Sequence, residues 1–128
     1  MKKIIYTDKA PAPIGPYSQA VLKGDTLYLS GQIAINPVTG ELVMESVEAE
    51  AIQVMENIKM LLEAAEMNFD NVVKTSIFLT SMNDFLKVNT IYACYIDEQN
   101  APARETVAVS GLPKGVNVEI SMIAIKNN

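Results

Sequence analysis

The chain has 128 residues, of which 49% are hydrophobic and 20% are charged, with a formal net charge of −5 at pH 7. These values are typical of a folded protein with a real core, and we predict a single domain over residues 1–128. The acidic balance argues against nucleic-acid binding, which needs clustered Lys and Arg side chains. One cysteine, Cys94, excludes an internal disulfide, and no apolar run reaches membrane-spanning length, so we expect a cytoplasmic protein.

Histidine is absent from the sequence. This excludes the Ser-His and Cys-His arrangements of nucleophilic catalysis and removes the commonest metal ligand. Neither a glycine-rich phosphate loop nor a Cys and carboxylate cluster with metal-ligand spacing can be found. Any chemistry must therefore come from carboxylates, Arg, Lys, Tyr, Ser, Thr, the lone Cys, backbone groups or ordered water.

The first part of the chain predicts a strand at Lys3–Tyr6 and then a stiff loop, residues 10–16, that contains three prolines. This loop either delivers Tyr17 to a site or is a plain surface connection. Residues 17–22 and 26–33 flank Gly24-Asp25 and predict a tight hairpin.

If Lys23 faces Thr26 in this hairpin, Tyr17 lies opposite Gln32 and becomes a near neighbour of Ser30. Gly31 follows Ser30 inside the predicted strand. A glycine there indicates a bulge, a close approach to the backbone, or local crowding in the core.

Apolar residues at helical spacing predict two helices. Ser46 is the N-cap of the first, and Ser81-Met82-Asn83-Asp84 resembles a capping box for the second. The two apolar stripes comprise Val47, Ala51, Val54, Ile58, Leu61, Leu62 and Ala65, and Phe85, Val88, Tyr92, Tyr95 and Ile96. Asn89 lies beside the second stripe and either anchors a neighbouring loop or contacts a ligand. Residues 72–79, between the helices, predict a strand covered on both faces.

Two strands end the chain, and each carries one candidate site residue. Arg104 begins an alternating segment in which Arg104 and Thr106 share one face and Glu105 the other. A guanidinium at a strand end can bind a carboxylate with two hydrogen bonds, or it is an ordinary solvated Arg. Glu119 lies inside the apolar strand 116–125, and it faces solvent, pairs with a cation, or lines a site.

The element order is strands, helix, strand, helix and two strands. It predicts an α+β fold in which both helices pack on one face of a mixed sheet. The opposite face would carry apolar side chains that need another cover, and we expect association through it.

Several segments together resemble the RidA (YjgF-type) family of reactive-intermediate deaminases along nearly the whole chain. They are Gly15-Pro16-Tyr17-Ser18-Gln19-Ala20, Leu29-Ser30-Gly31-Gln32-Ile33, Ala64-Ala65, Pro102-Ala103-Arg104 and Val118-Glu119-Ile120. The resemblance implies a chorismate-mutase-like fold and a homotrimer with a central β-barrel, with three sites between subunits. It also implies hydrolysis of enamines and imines such as 2-aminoacrylate, products of pyridoxal-phosphate dehydratases, to 2-keto acids and ammonia. Neither a metal nor an organic cofactor is implied.

The resemblance assigns roles to individual residues. Arg104 would bind the substrate carboxylate, Glu119 would activate water and assist proton transfer, and Tyr17 would close the pocket and offer a hydroxyl. Four further residues would line the site: Ser30, Gly31, Asn89 and the backbone at Thr106. Two positions depart from the family pattern, with Glu105 where a small residue is usual and Thr106 where many members carry Cys.

Two other functions stay open on the sequence. One is a non-catalytic trimer that binds small carboxylates as a sensor or sink, which would share Arg104 but would not need Glu119. The other is the ribonuclease or translation-inhibitor role reported for some family members, and the missing basic stripe speaks against it.

Overall fold

The computed structural model describes residues 1–127, which form six strands and two α-helices. The elements are β1 (Lys2–Ile5), β2 (Ala20–Lys23), β3 (Thr26–Gln32), α1 (Val47–Ala64), β4 (Val72–Leu79), α2 (Phe85–Ala93), β5 (Ala103–Ala108) and β6 (Val118–Ile125). Single turns of 3₁₀-helix lie at Phe69–Asn71, Met82–Asp84, Glu98–Asn100 and Pro113–Gly115. The predicted element order is confirmed.

The strands form one sheet in the order β1-β2-β3-β6-β4-β5. Neighbouring strands are antiparallel except β4 and β5, which run parallel. A parallel pair needs a crossover, and α2 provides it. The mixed sheet of the predicted α+β fold is therefore confirmed.

Both helices pack on one face of the sheet, as predicted. The Ser46 hydroxyl caps α1 by accepting a hydrogen bond from the Ala49 N–H at 3.0 Å, which satisfies one of the unpaired donors of the first turn. Ser81 caps the short turn before α2 instead of α2 itself. The largest fully buried apolar side chains include Leu27, Met55, Ile58, Leu61, Leu62, Ile77, Leu79, Ile120 and Met122. Within residues 1–127, no helix has the length and apolar character needed to cross a bilayer.

The other sheet face is only partly covered in the single chain. Here the expectation that β4 is covered on both faces is wrong: Thr75, Ile77 and Leu79 are buried against the helices, whereas Val73 is 45% exposed. The sequence of β4 does not show which face is covered, because the apolar Phe78 points away from the helices and is only partly buried. Its partner in β5, Val107, is exposed on the same face. Tyr28 is also exposed on this face, farther across the sheet in β3.

The β2–β3 hairpin has the predicted pairing next to its turn, but its pairing differs at the end away from the turn. Lys23 pairs with Thr26, and regular pairing continues to Ala20 and Leu29. The predicted pair of Tyr17 with Gln32 does not form, because β2 begins only at Ala20. Beyond that point, the pairing of β3 with β6 shifts between Leu29 and Gln32, as a bulge at Ser30 and Gly31 requires.

Candidate active site

Glu119 lies on the sheet face away from the helices. Its neighbours in β6, Val118 and Ile120, are fully buried on the helix side, so the alternation of the strand turns Glu119 outward. The side chain is partly buried beside the Gly31 bulge, and this burial raises the pKa of the Glu119 carboxyl. Of the three environments that the sequence left open, the structure supports a carboxylate lining a cavity.

Gly31 makes room for Glu119. A Cβ atom placed on Gly31 would lie 2.8 Å from Glu119 Cδ and 3.0 Å from its Oε2, closer than ordinary van der Waals contact allows. Two of the interpretations of this glycine, a bulge and a close approach, are therefore both confirmed.

A cavity of about 360 Å³ opens in front of Glu119. Its wall combines a few polar groups with apolar side chains of the proline-rich loop and of the segment after β3. The lining includes Pro11, Ile14, Tyr17, Ser30, Gly31, Ile33, Ile35 and Glu119. Tyr17 and Ser30 are thus brought together, although by the bulge and loop instead of by strand pairing.

The proline-rich loop owes its position to Gln19, a residue for which sequence reasoning gave no role. Gln19 is 2% exposed. Its amide nitrogen donates to the carbonyls of Thr7 and Pro11 at 2.9 and 2.8 Å, and its amide oxygen accepts from the Thr7 N–H at 2.8 Å. A buried amide that bonds the backbone in this way replaces the strand pairing that prolines prevent. The loop therefore carries Tyr17 to the cavity.

Two hydroxyls of this cavity have defined partners. The Ser30 hydroxyl donates to the Ser18 carbonyl at 2.6 Å. The Tyr17 oxygen accepts from the Ile14 N–H at 3.2 Å. Because the Tyr17 oxygen acts as acceptor here, its own proton is available to donate into the cavity.

Arg104 lies on the helix side of the sheet. It pairs with the buried Thr75 across β4 and β5. Its Nη1 donates to Asn89 Oδ1 at 2.7 Å, so Asn89 anchors a side chain where the sequence suggested a loop or a ligand. The guanidinium also lies 5.1 Å from the ring centre of Tyr92 and 5.9 Å from that of Phe85.

A second cavity, of about 500 Å³, lies beside Arg104. Its lining includes Asn89, Tyr92, Ile96, Glu98, Pro102 and Arg104. Thr106 is the next residue along β5 on the same face and pairs with Ile77. Among residues 1–127, its buried hydroxyl oxygen has no hydrogen-bond partner.

The candidate residues therefore form two groups on opposite faces of one sheet. The Glu119 group contains Tyr17, Ser30 and Gly31, and the Arg104 group contains Asn89 and Thr106. Glu105 points to the face opposite Arg104, as the alternation predicted, and it binds Lys74 at 2.8 Å and the Ser76 hydroxyl. These hydrogen bonds from Lys74 and Ser76 lower the pKa of Glu105.

A buried carboxyl in the first turn of α1, Glu50, was also missed by the sequence analysis. Glu50 is fully buried and accepts hydrogen bonds from the Asn117 backbone N–H at 2.9 Å and from its Nδ2 at 2.6 Å. It thus anchors the residue before β6. A signal existed, because Glu50 precedes the apolar Val54 by one helical turn.

No group of three or more His, Cys, Asp or Glu side chains is placed to hold a metal within residues 1–127. Cys94 is exposed, and its thiol donates to the Thr90 carbonyl at 3.4 Å.

Comparison with known proteins identifies the family. A family model described as endoribonuclease L-PSP matches residues 7–126, almost the entire chain. The chain belongs to the RidA (YjgF-type) family.

Three relatives show how close this RidA-family chain is to known members. The human 2-iminobutanoate/2-iminopropanoate deaminase is 48% identical over 126 residues, which cover 98% of this chain and 91% of that protein. The crystal structure of RidA from an Antarctic Psychrobacter species superposes with a TM-score of 0.93 at 46% identity, covering 97% and 99% of the two chains. The structure of E. coli TdcF with bound serine has a TM-score of 0.92 at 40% identity, covering 98% and 99%.

Proposed function

We propose that this protein hydrolyses 2-imino acids, formed from enamines such as 2-aminoacrylate and 2-aminocrotonate, to 2-keto acids and ammonia. The observation that carries the proposal is the Glu119 carboxyl, half-buried against Gly31 with its pKa raised, at the wall of a cavity. The activity for which the human relative is named agrees with it.

The chemistry needs a proton acceptor that can also return a proton. As water adds to the imine carbon, Glu119 takes one of its protons and passes it to the nitrogen, which gives a carbinolamine. Glu119 then transfers the remaining hydroxyl proton to the nitrogen, the C–N bond breaks, and ammonia leaves as the carbonyl forms. A carboxyl whose pKa lies nearer to neutral than usual suits both steps. Tyr17 donates its free proton to the substrate, and the Gly31 backbone lies beside the reacting atoms.

Arg104 binds the substrate carboxylate in this proposal. A guanidinium can make two parallel hydrogen bonds to a carboxylate, which fixes the position of the adjacent imine carbon. Asn89 holds the guanidinium at Nη1, and the Thr106 backbone lines the same side. The serine bound to TdcF supports recognition of a small molecule with an amino-acid carboxylate.

We further propose that each site forms between two copies of the chain, in a homotrimer whose sheets enclose a central barrel. Arg104 and Glu119 lie on opposite faces of the sheet, and one small substrate cannot contact both faces of a single sheet. A neighbouring copy would bring its Arg104 to the Glu119 cavity and cover the exposed apolar face.

A coupled assay tests the activity. A threonine or serine dehydratase generates the imine, semicarbazide traps what remains free, and keto-acid release is followed. We expect faster release and less trapped adduct with the wild type. Arg104→Ala and Glu119→Gln should each lower kcat/KM by roughly 100-fold or more. Glu63→Gln, on the exposed side of α1, is the matched control and should be fully active. Equal trapping with and without the wild type would contradict the proposal.

A carboxylate-binding protein without catalysis is the second candidate, favoured by the serine in TdcF. It shares Arg104 but does not need Glu119. Calorimetry with 2-oxobutanoate separates the enzyme from the binding protein. If Glu119→Gln still binds 2-oxobutanoate but no longer turns over the imine, the protein is an enzyme. The ribonuclease named in the family description is disfavoured by the net charge of −5. RNA cleavage that disappears on further purification would exclude a ribonuclease activity of this protein.

A further inference from the structure

The Arg104 guanidinium packs against two aromatic rings of α2. Arg104 itself is exposed near the start of an edge strand, where a free Arg would sample many rotamers. Its guanidinium carbon nevertheless lies 5.1 Å from the Tyr92 ring centre and 5.9 Å from the Phe85 ring centre. Both distances fall in the range of attractive cation–π contacts.

Tyr92 is in turn fixed by the strand next to Arg104. It is 6% exposed, and its hydroxyl donates to Thr75 Oγ1 at 3.0 Å. Thr75 is fully buried and pairs with Arg104 between β4 and β5. The ring beneath Arg104 is therefore held by its burial and by a contact to the strand that pairs with Arg104. Burial raises the pKa of Tyr92, so this hydroxyl stays a proton donor at neutral pH.

We propose that Tyr92 is a positioning residue that presets the Arg104 guanidinium for a carboxylate ligand through the face of its ring. The inference rests on the proposed function, because it takes Arg104 as the carboxylate-binding group. Preorganisation lowers the entropic cost of binding, so loss of the ring should weaken binding while every atom of Arg104 remains present.

The test measures binding of 2-oxobutanoate by calorimetry, together with KM and kcat in the coupled assay. Tyr92→Leu removes the ring and should raise Kd and KM about tenfold, with a smaller change in kcat. Tyr92→Phe keeps the ring and should stay within about twofold of the wild type. Tyr95→Leu is the matched control. Tyr95 lies in the turn after α2, and its hydroxyl donates to Glu56 at 2.7 Å. The Tyr95→Leu variant should bind 2-oxobutanoate as the wild type does.

A second comparison separates positioning from packing. Replacing Tyr92 by ring-fluorinated phenylalanine keeps the shape of phenylalanine but withdraws negative charge from the ring face. Kd should rise with the number of fluorines relative to Tyr92→Phe, at unchanged Tm. This comparison also decides the matter if Tyr92→Leu does not fold.

The inference is overturned if fluorination leaves Kd unchanged, or if folded Tyr92→Leu binds within about twofold of the wild type, while Arg104→Ala weakens binding. If Arg104→Ala itself binds 2-oxobutanoate as the wild type does, the proposed role of Arg104 fails, and the inference fails with it. The two failures are therefore distinguishable.

Discussion

Arg104 and Glu119 project from opposite faces of the same sheet, Arg104 over the Tyr92 ring on the helix side and Glu119 beside Gly31 on the other side. A site that uses both must take them from different copies of the chain.

This relationship predicts complementation between two inactive variants. Arg104→Ala and Glu119→Gln, unfolded together and refolded in equal amounts, should regain about a quarter of the wild-type activity, because random mixing in the proposed cyclic trimer supplies both intact residues to about one interface in four. Each variant refolded alone should stay inactive. A mixture with no more activity than its parts, in oligomers shown to exchange subunits, would rule out the shared site.

Gly31→Ala should separate activity from stability. The added methyl group meets the end of the Glu119 side chain, which can rotate away, so the free energy of unfolding should change by less than about 1 kcal/mol. The displaced carboxyl should lower kcat/KM by about tenfold or more. Gly111→Ala is the control, since no atom lies within 4 Å of the place that its methyl group would take and its backbone is not left-handed. Full activity in Gly31→Ala would show that Glu119 needs no fixed position.

Glu119→Gln should be more stable than the wild type near neutral pH, although we expect it to be inactive. The pKa of Glu119 is raised in the folded protein, so folding favours its neutral form. The wild type therefore has its full stability only below the ordinary carboxyl pKa of 4.5. It loses part of this stability as the pH rises through the higher pKa that Glu119 has in the folded protein. The Tm difference should therefore grow with pH and vanish in acid. A variant less stable than the wild type at neutral pH would contradict burial as the cause.

Glu50→Ala should destabilise the fold by about 3 kcal/mol, because it leaves the Asn117 N–H and amide without their charged acceptor. Urea unfolding measures this change. Glu48→Ala, in the same first turn of α1, should cost far less. A double-mutant cycle with Asn117→Ala isolates the hydrogen bond from the Asn117 side chain, because the backbone N–H stays in place. Independent effects of the two substitutions would show that this side-chain bond contributes nothing.

Much of the fold could be predicted from local patterns. The hairpin at Gly24, the cap at Ser46 and the alternation of β6 follow from turn geometry, capping and strand periodicity. The exposure of β4 could not be predicted, because an apolar Phe78 has the same pattern whether a helix or another chain covers it. The end of β2 was missed because strand pairing stops at the bulge and a side chain, Gln19, takes over the backbone contacts.

The sequence supplies the candidate site residues, but it does not predict how they are arranged. The alternation placed Glu105 and Arg104 on different faces correctly. That Arg104 and Glu119 also differ in face depends on how β5 reaches the sheet through β4, a long-range pairing that no local spacing encodes. Tyr92 matches the apolar stripe of the second helix, so the sequence pattern gives no sign of its contact with Arg104.

The position of β6 in the sheet has a consequence for synthesis. β6 is the last of the six strands in the chain, yet it lies between β3 and β4. Until it emerges from the ribosome, the β1-β2-β3 ribbon and the β4-β5 pair have no shared partner strand and present open edges. The strand that carries Glu119 therefore also unites the two halves, so the facing edges of β3 and β4 are covered in the same step that puts Glu119 in place.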